Sequence, residues 1–245
     1  MALHLDVSDG VAVITMDGNE NRFRSDSLAE WDQAMERVEA LDGPLALVVT
    51  GVGKFFCNGI DVDHIVDPDE LAEVIADVRQ LLARLLVLPA YSVCAINGHA
   101  FGAGAVLTCS FDHRIMRSDR GFWCLNEAEL GIELDDGFLS LLLHRLERRT
   151  ALDAIARSTR FGGRDALNAR IVDEVATIEE LRELAVGRAR HHASVDRSAL
   201  GRRKRLANAD IADTLAPSRR LDMDPDRATK KVLRRKVGDH RSDAL

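Results

Sequence analysis

Residues 91–106, Y-S-V-C-A-I-N-G-H-A-F-G-A-G-A-V, run an apolar strand directly into two glycines one residue apart, Gly102 and Gly104. No other stretch constrains the fold as much. A strand that turns at once into a helix needs small residues where the two backbones pass. It also leaves the first N–H groups of the helix without partners. Those groups face whatever sits above the helix N-terminus, where they can hold a developing negative oxygen. The turn is not a dinucleotide loop. The G-x-G-x-x-G fingerprint would place its third glycine at Leu107, and no acidic residue ends an apolar strand about 20 residues on. No G-K-[ST] occurs, which removes a Walker loop, and no G-x-S-x-G occurs to support a serine hydrolase.

The rest of the chain repeats the strand-to-helix theme. L-H-L-D-V and V-A-V-I-T-M, separated by S-D-G, read as a hairpin turning at Asp9-Gly10. A helix follows, with Ser27 and Glu30 as an expected capping box and Leu28, Trp31, Met35, Val38 and Leu41 at helical spacing. Gly43-Pro44 ends it, and L-A-L-V-V-T (45–50) is a buried strand. Residues 69–88 read as a helix stopped by Pro89, 112–116 as a strand, 138–146 and 150–158 as helices, and the chain from about 178 as charged and mostly helical. A strand–strand–helix order that recurs without sequence repetition predicts an α/β architecture with a helical C-terminal region. We divide it into a core, 1–187, and a basic helical region, 188–245.

Composition narrows the class. Apolar residues make up 46% and aromatic residues only 4%, so aliphatic packing dominates the core. No window resembles a membrane span. The N-terminus lacks a secretory pattern and the C-terminal S-D-A-L is not a peroxisomal address, so the cytoplasm is the expected location. Cys57, Cys94, Cys109 and Cys124 form no C-x-x-C pair and no zinc spacing, and read as reduced, buried side chains. No metal site is expected. The net charge is −7, yet residues 188–245 hold 16 Lys/Arg against 8 Asp/Glu. That basic region reads as a solvated face, a subunit contact or a polyphosphate contact. Nucleic acid fits least, because R-R-K-R (202–205) and K-K-V-L-R-R-K (230–236) carry no interleaved aromatics.

A second loop, F-F-C-N-G-I-D (55–61), also follows a strand, and two N–H donors converging on one carbonyl oxygen make an oxyanion hole. With I-N-G-H-A-F-G-A-G, R-S-D-R-G-F-W-C-L-N-E-A-E-L-G (117–131) and D-A-L-N-A-R-I-V-D-E-V (165–175), it resembles the crotonase superfamily, the enoyl-CoA hydratase/isomerase family. The likeness covers roughly residues 5–180. Within the superfamily the chain is most similar to the plant-type Δ3-Δ2-enoyl-CoA isomerases. Arg170 stands where glycine is common in the last motif.

The resemblance implies a ClpP/crotonase-like ββα spiral, an acyl-CoA thioester substrate, no separate cofactor, and a homotrimer or homohexamer. It implies backbone N–H donors at Ile60 and Ala103, each worth roughly 2.7–4 kcal/mol to a transition state. It places the base at Glu127, and Glu129 as a solvent-facing or structural neighbour. The second hydratase glutamate falls on Val106, which transfers no proton. One carboxylate beside an oxyanion hole suits a 1,3-proton shift from C2 to C4 of a 3-enoyl thioester. Substrate and CoA contacts fall on Arg22, Arg24, Cys57, Asn58, Gly59 and Asp61, with the basic region as a further candidate. Asp135, eight residues after Glu127, is either a helper carboxylate, as in dienoyl-CoA isomerases, or a cap for the following helix. His64 reads as a locally bonded loop residue. A hydratase or other crotonase lyase, a dienoyl-CoA isomerase and a non-catalytic acyl-CoA-binding protein stay open as alternatives.

Overall fold

The computed structural model describes residues 1–215. β1 (Ala2–Ser8) and β2 (Val11–Asp17) pair antiparallel, and the chain turns between them with positive φ at Asp9 (+52°) and Gly10 (+73°). Asp-Gly favours that two-residue turn. α1 (Ser25–Glu39) starts three residues earlier than the capping box predicts. Ser27 sits inside the first turn, where its Oγ accepts from the Arg24 N–H at 2.9 Å, and Glu30 is instead bonded to the Leu3 N–H at 2.9 Å. The tether to β1 outcompetes the local box.

Three successive units then share one plan. β3 (Ala46–Gly51), β4 (Phe55–Cys57) and α2 (Pro68–Val87) form the first. β5 (Tyr91–Ile96), β6 (His99–Phe101) and α3 (Ala103–Thr108) form the second, and β7 (His113–Arg117), β8 (Trp123–Cys124) and α4 (Glu127–Leu130) the third. In each unit the first strand joins one sheet, the second joins another, and a helix leads to the next unit. α5 (Asp136–Arg145), α6 (Arg148–Arg157), α7 (Gly163–Asn168) and β9 (Glu174–Ala176) follow. The larger sheet has the order β1-β2-β3-β5-β7-β9, parallel from β2 onward, and the smaller is β4-β6-β8, also parallel. This is the expected ββα spiral.

Period-two alternation gives the larger sheet two cores. Ile14, Met16, Leu47, Val49, Cys94, Ile96 and Met116 pack with Trp31, Met35, Leu82 and Leu85 of α1 and α2 on one face. Val11, Val13, Val48, Val93 and Ile115 pack on the other against Leu181, Ala185 and Ala189 of α8 (Ile178–His192). The division expected at 187/188 therefore falls inside a helix that covers the main sheet. α9 (Arg197–Ala207) and α10 (Ala209–Leu215) follow.

The R-R-K-R run is not wholly a solvated face. Arg202, Arg203 and Arg205 are exposed, but Lys204 is buried, and its Nζ donates to Asp112 Oδ2 at 2.7 Å and to the Ala90 carbonyl at 3.2 Å. Burial pushes the Lys204 ammonium below its ordinary pKa despite Asp112. The second basic run, 230–236, lies outside the described residues. All four cysteines are free and buried.

Candidate active site

The loop 55–61 and the glycine turn meet backbone to backbone. Gly59 has φ +78°, a conformation that L side chains seldom adopt. A Cβ there would lie 3.0 Å from the Phe101 carbonyl and 3.3 Å from the Ala103 nitrogen. At Gly104 it would lie 2.2 Å from the Cys57 carbonyl oxygen, so only glycine permits the approach. The Phe23 N–H donates to the Gly59 carbonyl at 2.8 Å and the Asp61 N–H to the Phe23 carbonyl at 3.0 Å, which pairs Ile60 with Phe23 in a parallel bridge. In that pairing the Ile60 N–H faces away from Phe23. Ala103 opens α3, ahead of the first intrahelical donors, Ala105 and Val106, which bond to the Gly102 carbonyl at 2.9 and 3.1 Å. Among the described residues neither the Ile60 nor the Ala103 N–H has a hydrogen-bond partner.

Glu127 stands over the same turn. Its Oε1 lies 3.3 Å from the point a Gly102 side chain would occupy, and its Oε2 is enclosed with no hydrogen-bond partner. Burial raises the Glu127 carboxyl above the usual carboxylate range. A raised pKa makes a carboxylate a stronger proton acceptor. Gly131 closes α4 in the left-handed region, and the Ile132 N–H returns to the Glu127 carbonyl at 2.9 Å, which fixes the Glu127 backbone. Val106 lies in the core with no exposed surface. Glu129 is exposed and 3.4 Å from Arg160.

The predicted CoA-contacting residues form a charge network beside the first loop. Arg22 donates to Glu20 at 2.6 Å, Asp61 at 3.2 Å and Asp63 at 2.6 Å. Its charge is thus matched within the protein. Arg24 is half exposed and only 3.8 Å from both Asp26 and Asp61. Asn58 bonds to Glu20 through its side chain (2.8 Å) and its N–H (2.9 Å). Cys57 is no nucleophile, because burial pushes its thiol up to about 12. Burial also acts upward on Asp61, but His64 at 2.9 Å and Arg22 outweigh it and hold the carboxyl below its ordinary value. His64 is a locally bonded loop residue.

Asp135 does what a cap does. Its Oδ1 accepts from the Phe138 N–H at 3.0 Å at the start of α5, and its Oδ2 lies 3.8 Å from buried Arg79. Arg79 also reaches the Thr214 carbonyl, tying α10 to this corner. The sequence pattern marks neither of two further residues here. Arg79 carries no signal, since an arginine within a predicted helix reads as surface. Asn126 sits beside Glu127 in the motif, but nothing in the spacing marks it. Among the described residues no three His, Cys, Asp or Glu side chains gather as a metal-holding group, and no helix is long and apolar enough to cross a membrane.

Comparison with known proteins agrees with this geometry. The profile of the enoyl-CoA hydratase/isomerase family matches residues 6–241. The chain belongs to the enoyl-CoA hydratase/isomerase family. It is 30% identical over 173 residues to enoyl-CoA delta isomerase 2, peroxisomal, of Arabidopsis thaliana, covering 66% of this chain and 71% of that one. It is 30% identical over 228 residues to 1,2-epoxyphenylacetyl-CoA isomerase of Escherichia coli K12, covering 90% and 86%. The fold matches an apo enoyl-CoA isomerase of Mycobacterium tuberculosis with TM-score 0.82 at 28% identity, covering 87% of this chain and 93% of that one. It also matches human mitochondrial delta3-delta2-enoyl-CoA isomerase with TM-score 0.86, at 22% identity and 99% coverage of both. Within this hydratase/isomerase family member, the left-handed Arg170 (φ +56°) explains the glycine common at that position. Its guanidinium pairs with Glu147 at 2.7 Å.

Proposed function

We propose that this protein is a Δ3-Δ2-enoyl-CoA isomerase. The single observation that carries the reading is the pairing of Glu127 over the glycine turn with a core valine at 106. In this reading the Ile60 and Ala103 N–H groups hold the thioester oxygen of a 3-enoyl-CoA. The Glu127 carboxylate takes a proton from C2. The electron pair of the broken C2–H bond spreads into a dienolate whose charge the two donors stabilise. The same carboxyl, now an acid, returns the proton to C4, and the double bond moves from C3=C4 to C2=C3. No water is activated and the chemistry requires no cofactor beyond the CoA of the substrate.

Asp135 has no part in this scheme: its Oδ1 caps α5, and its Oδ2 faces buried Arg79 at 3.8 Å. Arg24 is the better of the two arginines for a CoA phosphate, because Arg22 is already surrounded by carboxylates. A homotrimer or hexamer belongs to the same reading, with light scattering as its test. The experiment for the activity uses two substrates. The protein should convert 3-hexenoyl-CoA to the conjugated 2-hexenoyl-CoA and leave added 2-hexenoyl-CoA unhydrated. Hydration of 2-hexenoyl-CoA would replace the isomerase with a hydratase. Binding without turnover of either would mark a non-catalytic acyl-CoA-binding protein.

The 90% coverage by the Escherichia coli relative favours one further candidate substrate, an epoxide-bearing CoA thioester, to be assayed alongside.

A further inference from the structure

Asn126 occupies the N-cap position of α4 but does not cap it. Asparagine is among the best capping residues, and three aspartates at N-cap positions of this chain do cap, although Thr177 does not. Asp67, Asp135 and Asp196 each turn a carboxylate back onto an N–H of their own helix. The Asn126 carboxamide instead reaches toward the glycine turn. Its Oδ1 lies 3.7 Å from the point a Gly102 side chain would occupy, and Glu127 Oε1 lies 3.3 Å from the same point. No hydrogen bond holds the amide among the described residues. The two ends of a carboxamide exchange by a simple flip, so the donor nitrogen can take that place. The Asn126 backbone, φ −100° and ψ 11°, lies in the sparsely populated bridge region where many active-site residues are found. A polar group has therefore been turned away from its ordinary local partner and into the space beside the base.

We propose that Asn126 is a further catalytic residue, its carboxamide donating a hydrogen bond to the thioester oxygen as negative charge builds there. The inference rests on the isomerase reading. Gly102 directly precedes Ala103, one of the two backbone donors, so the space above it is where the C1–C2 segment lies. Glu127 faces C2, and the neighbouring amide falls beside the C1 oxygen. A third donor aimed at that oxygen matters most in the dienolate, where the charge is greatest.

The test measures kcat and KM for 3-hexenoyl-CoA across pH for wild type, Asn126→Ala and Asn126→Asp. Alanine removes the donor; aspartate keeps the size, which covers the case in which alanine disturbs the turn. Both variants should lose kcat by about 10- to 100-fold with KM changed less than about threefold and the acid limb of the alanine variant unmoved. A kcat within about twofold of wild type for both variants would overturn the proposal. So would a loss confined to KM, or one that appears only as a shifted acid limb, which would place the amide on the Glu127 carboxyl instead. Failure of the wild type to convert 3-hexenoyl-CoA is a failure of the isomerase reading. The variants are then compared by exchange of the C2 protons of hexanoyl-CoA in D2O, and equal exchange in all three, including none, overturns the Asn126 role as well.

Discussion

Replacing Gly104 by alanine is the sharpest perturbation of the site that leaves every polar group in place. The new Cβ would stand 2.2 Å from the Cys57 carbonyl oxygen, 2.7 Å from the Cys57 carbonyl carbon and 2.8 Å from its Cβ. Ordinary contact begins near 3.4 Å. The obstacle is backbone, which has no rotamer to yield, so the loop 55–61 and the turn 102–104 must part by about 1 Å. Two consequences follow with different magnitudes. Overpacking of a tight core costs about 1–3 kcal/mol of stability, here toward the upper end. In the proposed mechanism, displacing one oxyanion donor from the other by about 1 Å costs roughly 10²-fold in rate, about 2.7 kcal/mol of barrier. Gly187→Ala is the control: nothing lies within 4 Å of its Cβ site, and it sits inside α8. That substitution should stabilise by about 0.5–1 kcal/mol and leave kcat alone. Urea unfolding and 3-enoyl-CoA turnover on both variants provide the comparison. A Gly104→Ala enzyme with kcat within about threefold of wild type would refute the claim that the two loops must touch to make the site.

Glu127→Gln should cut isomerisation by at least about 10²-fold while retaining acyl-CoA binding; an unaffected rate removes Glu127 from the chemistry. The same variant should gain stability relative to wild type as pH rises. Burial lifts the Glu127 carboxyl above its unfolded value of 4.5, so its contribution to stability is whole below that value and is lost as pH rises through the raised folded value. Denaturant unfolding at about pH 4 and about pH 8 checks this, and an equal difference at both would be inconsistent with it. Asp135→Ala should cost about 3 kcal/mol or more, since it strips a helix cap and leaves Arg79 buried without its carboxylate; Asp135→Asn should cost less, because the cap survives. Arg170→Gly should raise stability by up to about 1 kcal/mol by removing a left-handed side chain, at the loss of only an exposed pairing with Glu147; a lower melting temperature would contradict it.

Much of this was legible in the chain, for identifiable reasons. β5 falls on the expected 91–96 because a six-residue apolar run bounded by Pro89 and Gly98 leaves little freedom. The Asp9-Gly10 hairpin and the helix 68–87 follow from turn chemistry and a strong apolar face in the same way. β4, β6 and β8, at two or three residues, are too short for any period to show, and only the glycine turns hint at them. The start of α1 was misplaced because Glu30 prefers the Leu3 N–H, a partner 27 residues away that local pattern cannot supply. In the site, the glycines were readable because close backbone approach and a fixed turn demand them, and Glu127 was singled out only by the family resemblance. The cap at Asp135 was one of two readings the sequence offered, whereas the neutralised Arg22 and the uncapping Asn126 carry no signal, since each is defined by which way a side chain points.

The central claim is that one carboxyl, Glu127, carries one proton from C2 to C4 behind a closed site. The direct measurement uses 3-hexenoyl-CoA deuterated at C2 in ordinary water, with the label in the 2-hexenoyl-CoA product located by NMR. A single carboxyl predicts deuterium at C4 well above solvent background, abolished together with turnover in Glu127→Gln. Product formed with C4 carrying only solvent hydrogen, at every extent of conversion, would mean that a second acid or an open site delivers the proton, and would contradict the account.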